Sequence, residues 1–240
     1  MSVLHKKIGS VVDENFVYGR ALHYLGIEFF ENEHRSLDEV CKEKGISRQK
    51  VIKCFYDFDQ NAKCTFSELE DYPIDLLLEY LRHSHHLFIK DKLPYISYLL
   101  CQYHNPLMGD LQVIFPDFVE DFIKHIYQEE DEIFDYIRTL SKIDQNRLVN
   151  PLVGLMKFSH FSLKEIRAEH SEEDEMANMR GLIDEIRPQD LHGKVILNEL
   201  KAFDRELLYH AEIENEILFP RAINLENQIQ SKLKALSQLN

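Results

Sequence analysis

DLHGKVILNELKAFDRELLYHAEIENEILF, residues 190–219, decides the fold. Read at alternating steps of four and three, it gives Ile196, Leu200, Phe203, Leu207, His210, Glu214 and Ile217. That is the apolar seam of a helix packed in a bundle. Two of its members are polar: His210 and Glu214 occupy core positions one turn apart. The spacing predicts a helix from about Asp190 to Phe219, stopped by Pro220.

Three more segments carry the same signal. Residues 115–140 give Phe118, Phe122, His125, Glu129, Ile133 and Tyr136, an apolar seam again interrupted by a His and a Glu four residues on. A third segment opens at Asn150-Pro151, an N-cap with proline in the first turn, and ends before Pro188. Its seam is Met156, Ser159, Leu163, Ile166 and His170, with Glu173 and Asp174 beyond. Residues 73–103 set His86 in line with Ile89, Leu93, Ile96 and Leu100. Four long helices with short loops predict an all-α fold, an antiparallel four-helix bundle over residues 67–240. An amphipathic tail, Ile223–Leu239, adds a last helix.

Residues 1–66 read as a small helical N-terminal domain. Apolar residues at helical spacing run through Ile8–Tyr24, and Gly26 ends that stretch. Ser36-Leu37-Asp38-Glu39 is a capping box. Residues 36–52 also have the outline of a helix-turn-helix. Asn61–Tyr72 reads as a linker. Residues 1–66 carry equal numbers of basic and acidic side chains, so the formal charge of −14 lies wholly in residues 67–240.

Composition narrows the classes. Eight glycines and seven prolines in 240 residues argue against a loop-rich sandwich or barrel. No apolar run reaches the length of a membrane span, and the N-terminus lacks a secretory signal; the expected compartment is the cytoplasm. An acidic chain with only Arg48, Lys50 and Lys53 along Ser47–Phe58 is not expected to bind nucleic acid. Cys41, Cys54, Cys64 and Cys101 form no C-x-x-C pair and no zinc-knuckle spacing.

Histidine is the unusual residue: 12 in all, nine of them after residue 66. A His and a Glu at i and i+4 project from one helix face. A carboxylate buried without a partner is costly, and two such pairs in one core need a shared reason. A bound cation supplies it. The count fits a dinuclear site in which His86, His125, His170 and His210 cap two ions and Glu129 and Glu214 bridge them. His83 and His85 point roughly 60° to 100° away from His86 on an ideal helix and are expected in solvent. His160 lies about 15 Å along its helix from His170, and His104 about 27 Å from His86, so neither is expected to be a ligand. Imidazole-rich donors with bridging carboxylates favour iron over manganese or zinc, and no cysteine lies on these seams.

HIYQEEDEIF at 125–134 and HAEIENEILFPR at 210–221 resemble the paired signatures of hemerythrin-like di-iron domains. Arg167-Ala-Glu-His170 resembles their third-helix motif, and His86 with Leu93-Pro94 their first. More narrowly, the chain resembles the iron–sulfur cluster repair di-iron proteins of the nitrosative and oxidative stress response. The oxygen-carrying hemerythrins offer His-x-x-x-His and His-x-x-x-x-Asp where this chain has a single His170 and His210-x-x-x-Glu214. The resemblance implies the same six ligands and two oxo- and carboxylate-bridged iron ions. It further implies nitric oxide or oxygen as the small-molecule ligand, iron–sulfur proteins as partners, and a monomer or homodimer. Where the repair family has adjacent cysteines in its N-terminal domain, this chain has Phe29-Phe30, so no thiol role carries over. The expected function is cluster repair, by iron donation or nitric oxide reduction. The alternative is reversible oxygen binding or iron storage without turnover.

Overall fold

The computed structural model describes residues 3–59, 65–148, 150, 155–156, 158, 162–170 and 174–237. Cys64, Pro151 of the expected N-terminal cap, Ser159, His160 and Glu173 lie outside the described residues. Among those described every regular element is helical, as expected, and an isolated bridge links Lys7 and Ser36. In chain order the α-helices are α1 (Ile8–Glu14), α2 (Val17–Tyr24), α3 (Leu37–Glu43), α4 (Arg48–Asp59), α5 (Phe66–Glu70), α6 (Ile74–Leu87) and α7 (Leu93–Cys101). They continue with α8 (Gly109–Gln128), α9 (Asp135–Asp144), α10 (Leu163–His170), α11 (Ala177–Glu185), α12 (Leu191–Ile213) and α13 (Phe219–Ser237). Among the described residues three π-helical turns occur: Phe88–Lys92 between α6 and α7, Glu129–Phe134 between α8 and α9, and Glu214–Leu218 between α12 and α13. No described helix is long and apolar enough to cross a membrane.

The chain divides into two compact units. One comprises Met1–Lys63, Pro94–Phe115 and Asn178–Asp204; the other comprises Cys64–Leu93, Pro116–Ala177 and Arg205–Asn240. Residues 94–115 and 178–204, expected from the sequence to belong with the bundle, are therefore grouped with the N-terminal stretch. The first unit buries Ile8, Val12, Leu22, Ile27, Leu37, Val40 and Val51. The single helix expected over residues 8–24 is two, because Asn15 Oδ1 accepts from the Val17 amide and supplies a turn in place of helix continuation. Ser36 and Glu39 form the expected reciprocal cap. Gly45, between α3 and α4, has φ +66°, a conformation glycine takes at no steric cost. Phe29 and Phe30 serve packing: Phe30 stacks on His192 at 4.2 Å between centroids, and Phe29 meets the same ring edge-on.

The second unit has a core of Leu69, Leu77, Leu78, Leu81, Phe134, Ile137, Leu140, Leu163, Ile213, Ile217 and Leu218. Leu69 belongs to α5, within the stretch read from sequence as linker. Thr65 and Glu68 cap that helix reciprocally, a Thr-x-x-Glu signature ahead of a buried leucine. The third predicted helix is interrupted: α10 ends at His170, and residues 174–176 are not helical.

Pro220 does not stop the chain's helix, which runs on as α13. Pro94 and Pro220 each stand two residues past a π-helical turn. A proline lacks the N–H that would bond the carbonyl four residues back, and its ring crowds that carbonyl. Those carbonyls belong to Lys90 and Glu216, inside the two π turns, where the wider ladder leaves room for the ring.

Candidate metal centre

Six side chains of the second unit converge. His85 comes from the last turn of α6, His125 from the last turn of α8, His170 from the end of α10 and His210 from the last turn of α12. Glu129 and Glu214 are each the first residue of a π-helical turn. π turns within α-helices are frequent at functional sites. Here each one begins at the carboxylate that follows a histidine by four residues.

His85, Glu129, His210 and Glu214 form one group of donors that could hold a metal ion, and His125, Glu129 and His170 form another. In the first, His85 Nε2 lies 2.9 Å from His210 Nε2 and 3.4 Å from Glu129 Oε2. His210 Nε2 lies 2.9 Å from Glu214 Oε1. In the second, Glu129 Oε2 is 4.0 Å from His125 Nε2, and Glu129 Oε1 is 3.9 Å from His170 Nε2. Glu214 also reaches both groups, with its Oε2 3.2 Å from His170 Nε2. Each carboxylate thus faces imidazoles of both groups.

The donor set fits a cation. The Oε1 atom of Glu129 is buried and lacks a hydrogen-bond partner. Two donors about 2.0–2.2 Å from one ion and at right angles to each other stand about 3 Å apart, the spacing seen among the first group. Without a cation these carboxylates disturb one another. Burial and the charge of Glu214 push the Glu129 carboxyl above its usual range. Burial acts on Glu214 the same way, but His210 and His170 outweigh it and hold that carboxyl well below.

His86 is not brought to the centre. Its side chain is exposed, as are His83 and His104, and His85 is 2% exposed and holds the place expected for His86. The reason is the π turn Phe88–Lys92. The buried stripe of α6 is Leu77, Leu78, Leu81 and His85, and that of α7 includes Leu93, Ile96 and Leu100. A π-helical turn carries one residue more than an α-helical turn. A stripe traced back from Leu93 with α-helical spacing therefore lands one residue too far along, on His86. Counting forward from Leu81 lands on His85. Metal bound per chain after each single substitution checks this: His85→Ala loses at least one ion, and His86→Ala retains the wild-type content. Equal losses from both would remove His85 from the ligand set.

The surroundings hold the imidazoles in place. His85 Nδ1 lies 2.9 Å from Glu130 Oε1, and Arg82 stands 3.6 Å from that carboxylate's other oxygen. A carboxylate behind a ligand histidine fixes its tautomer and raises its basicity. His125 Nδ1 faces Glu175 at 3.6 Å. Phe134 stacks on His85 at 5.5 Å between centroids, and Phe219 meets His170 edge-on at 5.4 Å. Phe134 and Phe219 hold equivalent places in His-x-x-x-Glu-x-x-x-x-Phe, at 125–134 and 210–219. That shared spacing was the sequence signal for their role; Glu130 and Glu175 gave none. No protein-family model, no curated protein and no solved structure matches the chain.

Proposed function

We propose that this protein is a dinuclear metalloprotein, with two iron ions held by His85, His125, Glu129, His170, His210 and Glu214 inside a hemerythrin-like four-helix bundle. We further propose that it supports the repair of iron–sulfur clusters under nitrosative or oxidative stress. The observation that carries the metal reading is Glu129, one buried carboxylate common to two groups of imidazoles. Ligand-bearing segments α6, α8, α10 and α12 supply one histidine each, in keeping with a site built between the helices of a bundle. The imidazole-rich, sulfur-free donor set favours iron. The repair role rests on the resemblance of the two His-x-x-x-Glu stretches to the repair proteins. A ferrous pair, if bound, would supply one electron to each of two nitric oxide molecules, which with two protons balances to nitrous oxide and water. The chain's own residues orient the centre and exclude bulk water from the His85 side, and His210 and His170 hold Glu214 ionised.

Metal analysis with an optical spectrum tests the centre: about two irons per chain and a near-ultraviolet oxo-to-iron band are expected. Less than one transition-metal ion per chain after reconstitution would overturn it. Anaerobic reduction followed by nitric oxide or oxygen tests the role. Rapid oxidation by oxygen without a stable adduct supports repair; a stable, reversible oxygen adduct supports the carrier alternative.

A further inference from the structure

A cleft of about 330 Å³ lies within the first unit, between the end of α1, the loop 186–190 and the first turns of α12. Its floor is apolar: Val12, Phe16, Ile186, Leu191 and Val195 are buried or half-buried there. Its rim is cationic. Arg187, Lys194 and Lys201 line it, and Asp13 is the one carboxylate among the described lining residues. A chain with a formal charge of −14 thus gathers three cations around one apolar hollow. The walls are fastened. Pro188 packs on the bare backbone of α12 at Gly193, where a β-carbon would come within 2.5 Å of the proline Cβ. Asp190 ties down the same loop: its Oδ1 accepts from the Gly193 amide at 2.7 Å and its Oδ2 from the Tyr103 hydroxyl at 2.8 Å. Arg187 Nη1 donates to the Ile186 carbonyl at 2.8 Å, which holds the guanidinium at the rim.

From this geometry we propose that the cleft binds a small organic anion with an apolar body, its head group reached by Lys194 and Lys201 and its hydrocarbon or aromatic part laid on the floor. Lys194 and Lys201 are seven residues apart, two turns along one face of α12. Ligand sites are commonly concavities of about 300–1,000 Å³, mainly apolar, with a few polar groups that fix orientation. The floor supplies affinity in proportion to the area covered, and the rim selects the sign of the ligand's charge. A bare inorganic anion would leave the floor wet, and a neutral hydrocarbon would leave the lysines unused. Because Asp190 already caps α12, the attraction for an anion comes from side chains and not from the helix end. Lys201 stands 3.5 Å from the exposed Asp184, a surface pair that a bound anion replaces at little cost. Walls held in place before binding keep the cost of ordering low.

The test uses the full chain and two fluorescent probes, anilinonaphthalene sulfonate and phenylnaphthylamine, the same ring system without the sulfonate. Saturable binding of the sulfonate is expected, about tenfold or more tighter than that of the uncharged probe. Lys194→Gln with Lys201→Gln removes most of that difference and leaves the uncharged probe's affinity unchanged, with circular dichroism confirming the fold. Asp13→Asn tightens sulfonate binding several-fold by removing the repelling carboxylate. Added salt weakens the sulfonate alone. Decanoate displaces the bound sulfonate, and inorganic phosphate at the same concentration does not. Equal affinities for the two probes in the wild-type chain, or sulfonate binding unchanged by the double lysine substitution, overturns the inference. So does displacement by phosphate and not by decanoate, which would make the cleft a site for an inorganic anion. No residue of the metal centre enters the test, so its outcome leaves the dinuclear reading where it stands.

Discussion

Glu129→Leu abolishes binding at both metal positions while leaving the metal-free protein folded. Glu129 faces His85, His125 and His170, so its loss removes a donor from each group at once. In the metal-free chain the same carboxylate is a liability. It is 2% exposed, one of its oxygens lacks a hydrogen-bond partner, and burial and Glu214 both oppose its ionisation. Replacing a whole buried ion pair by apolar groups of similar volume is often neutral or stabilising by about 1–4 kcal/mol. Removing one partner of a buried pair costs more, but His85 keeps Glu130. The metal-free variant is therefore expected to stay folded and to melt near the wild-type temperature. Metal then separates the two proteins in the other direction. Free metal at about a thousand times its dissociation constant adds about 4 kcal/mol to a protein that binds one ion, and the variant gains nothing. Melting curves of both proteins, stripped and loaded, give all four values. Retention of two ions by the variant would mean that Glu129 bridges nothing. A metal-free variant melting far below wild type would make the residue structural.

Sequence carried the pairing of His125 with Glu129 and of His210 with Glu214, because i and i+4 on one helix face is local geometry that survives any arrangement of the helices. It also carried His170, because Leu163, Ile166 and His170 all lie within α10. What it did not carry depends on the ladder changing width. The π turn at Phe88–Lys92 puts His85 rather than His86 in the buried donor cluster, and the turn at Glu214–Leu218 lets the helix pass Pro220. Neither turn has a period of its own. The nearest local trace was a proline two residues further on, at Pro94 and Pro220, yet the turn at Glu129–Phe134 has none there. Glu130 was hidden for another reason. It lies next to Glu129 in a run of four acidic residues, 129–132, and only the position of α6 distinguishes it from Asp131 and Glu132 in solvent.

Raising the pH from 6.5 to 9 destabilises the metal-free protein and leaves the metal-loaded protein nearly unchanged. Burial alone would push the His85 imidazole down, but the hydrogen bonds it donates to Glu129 and Glu130 and the charge of Glu129 and Glu214 overcome it and hold the group up at about 9. A base whose folded value lies above its unfolded value of about 6.5 contributes stability that is complete below the unfolded value. That stability is lost as the pH rises through the folded one. For a group this buried the loss is on the order of 3 kcal/mol across the window. Glu129, also raised, titrates in the same direction, and Glu214, held low, changes only in stronger acid. A bound metal reverses the sign. A ligand imidazole must be neutral, so metal competes with the proton and holds the ligand histidines deprotonated well below pH 6.5. A group with a depressed folded value contributes stability present above its unfolded value and lost as the pH falls. The loaded protein is thus level from pH 6.5 to 9 and loses metal and melting temperature together below about pH 6. Melting temperatures of both forms at pH 5, 6.5, 8 and 9 give the two slopes. Opposite signs are expected, with the curves closest together in mild acid. A metal-free protein as stable at pH 9 as at pH 6.5 would mean that His85 is neutral in the absence of metal, and that Glu129 and Glu130 do not hold a proton on it.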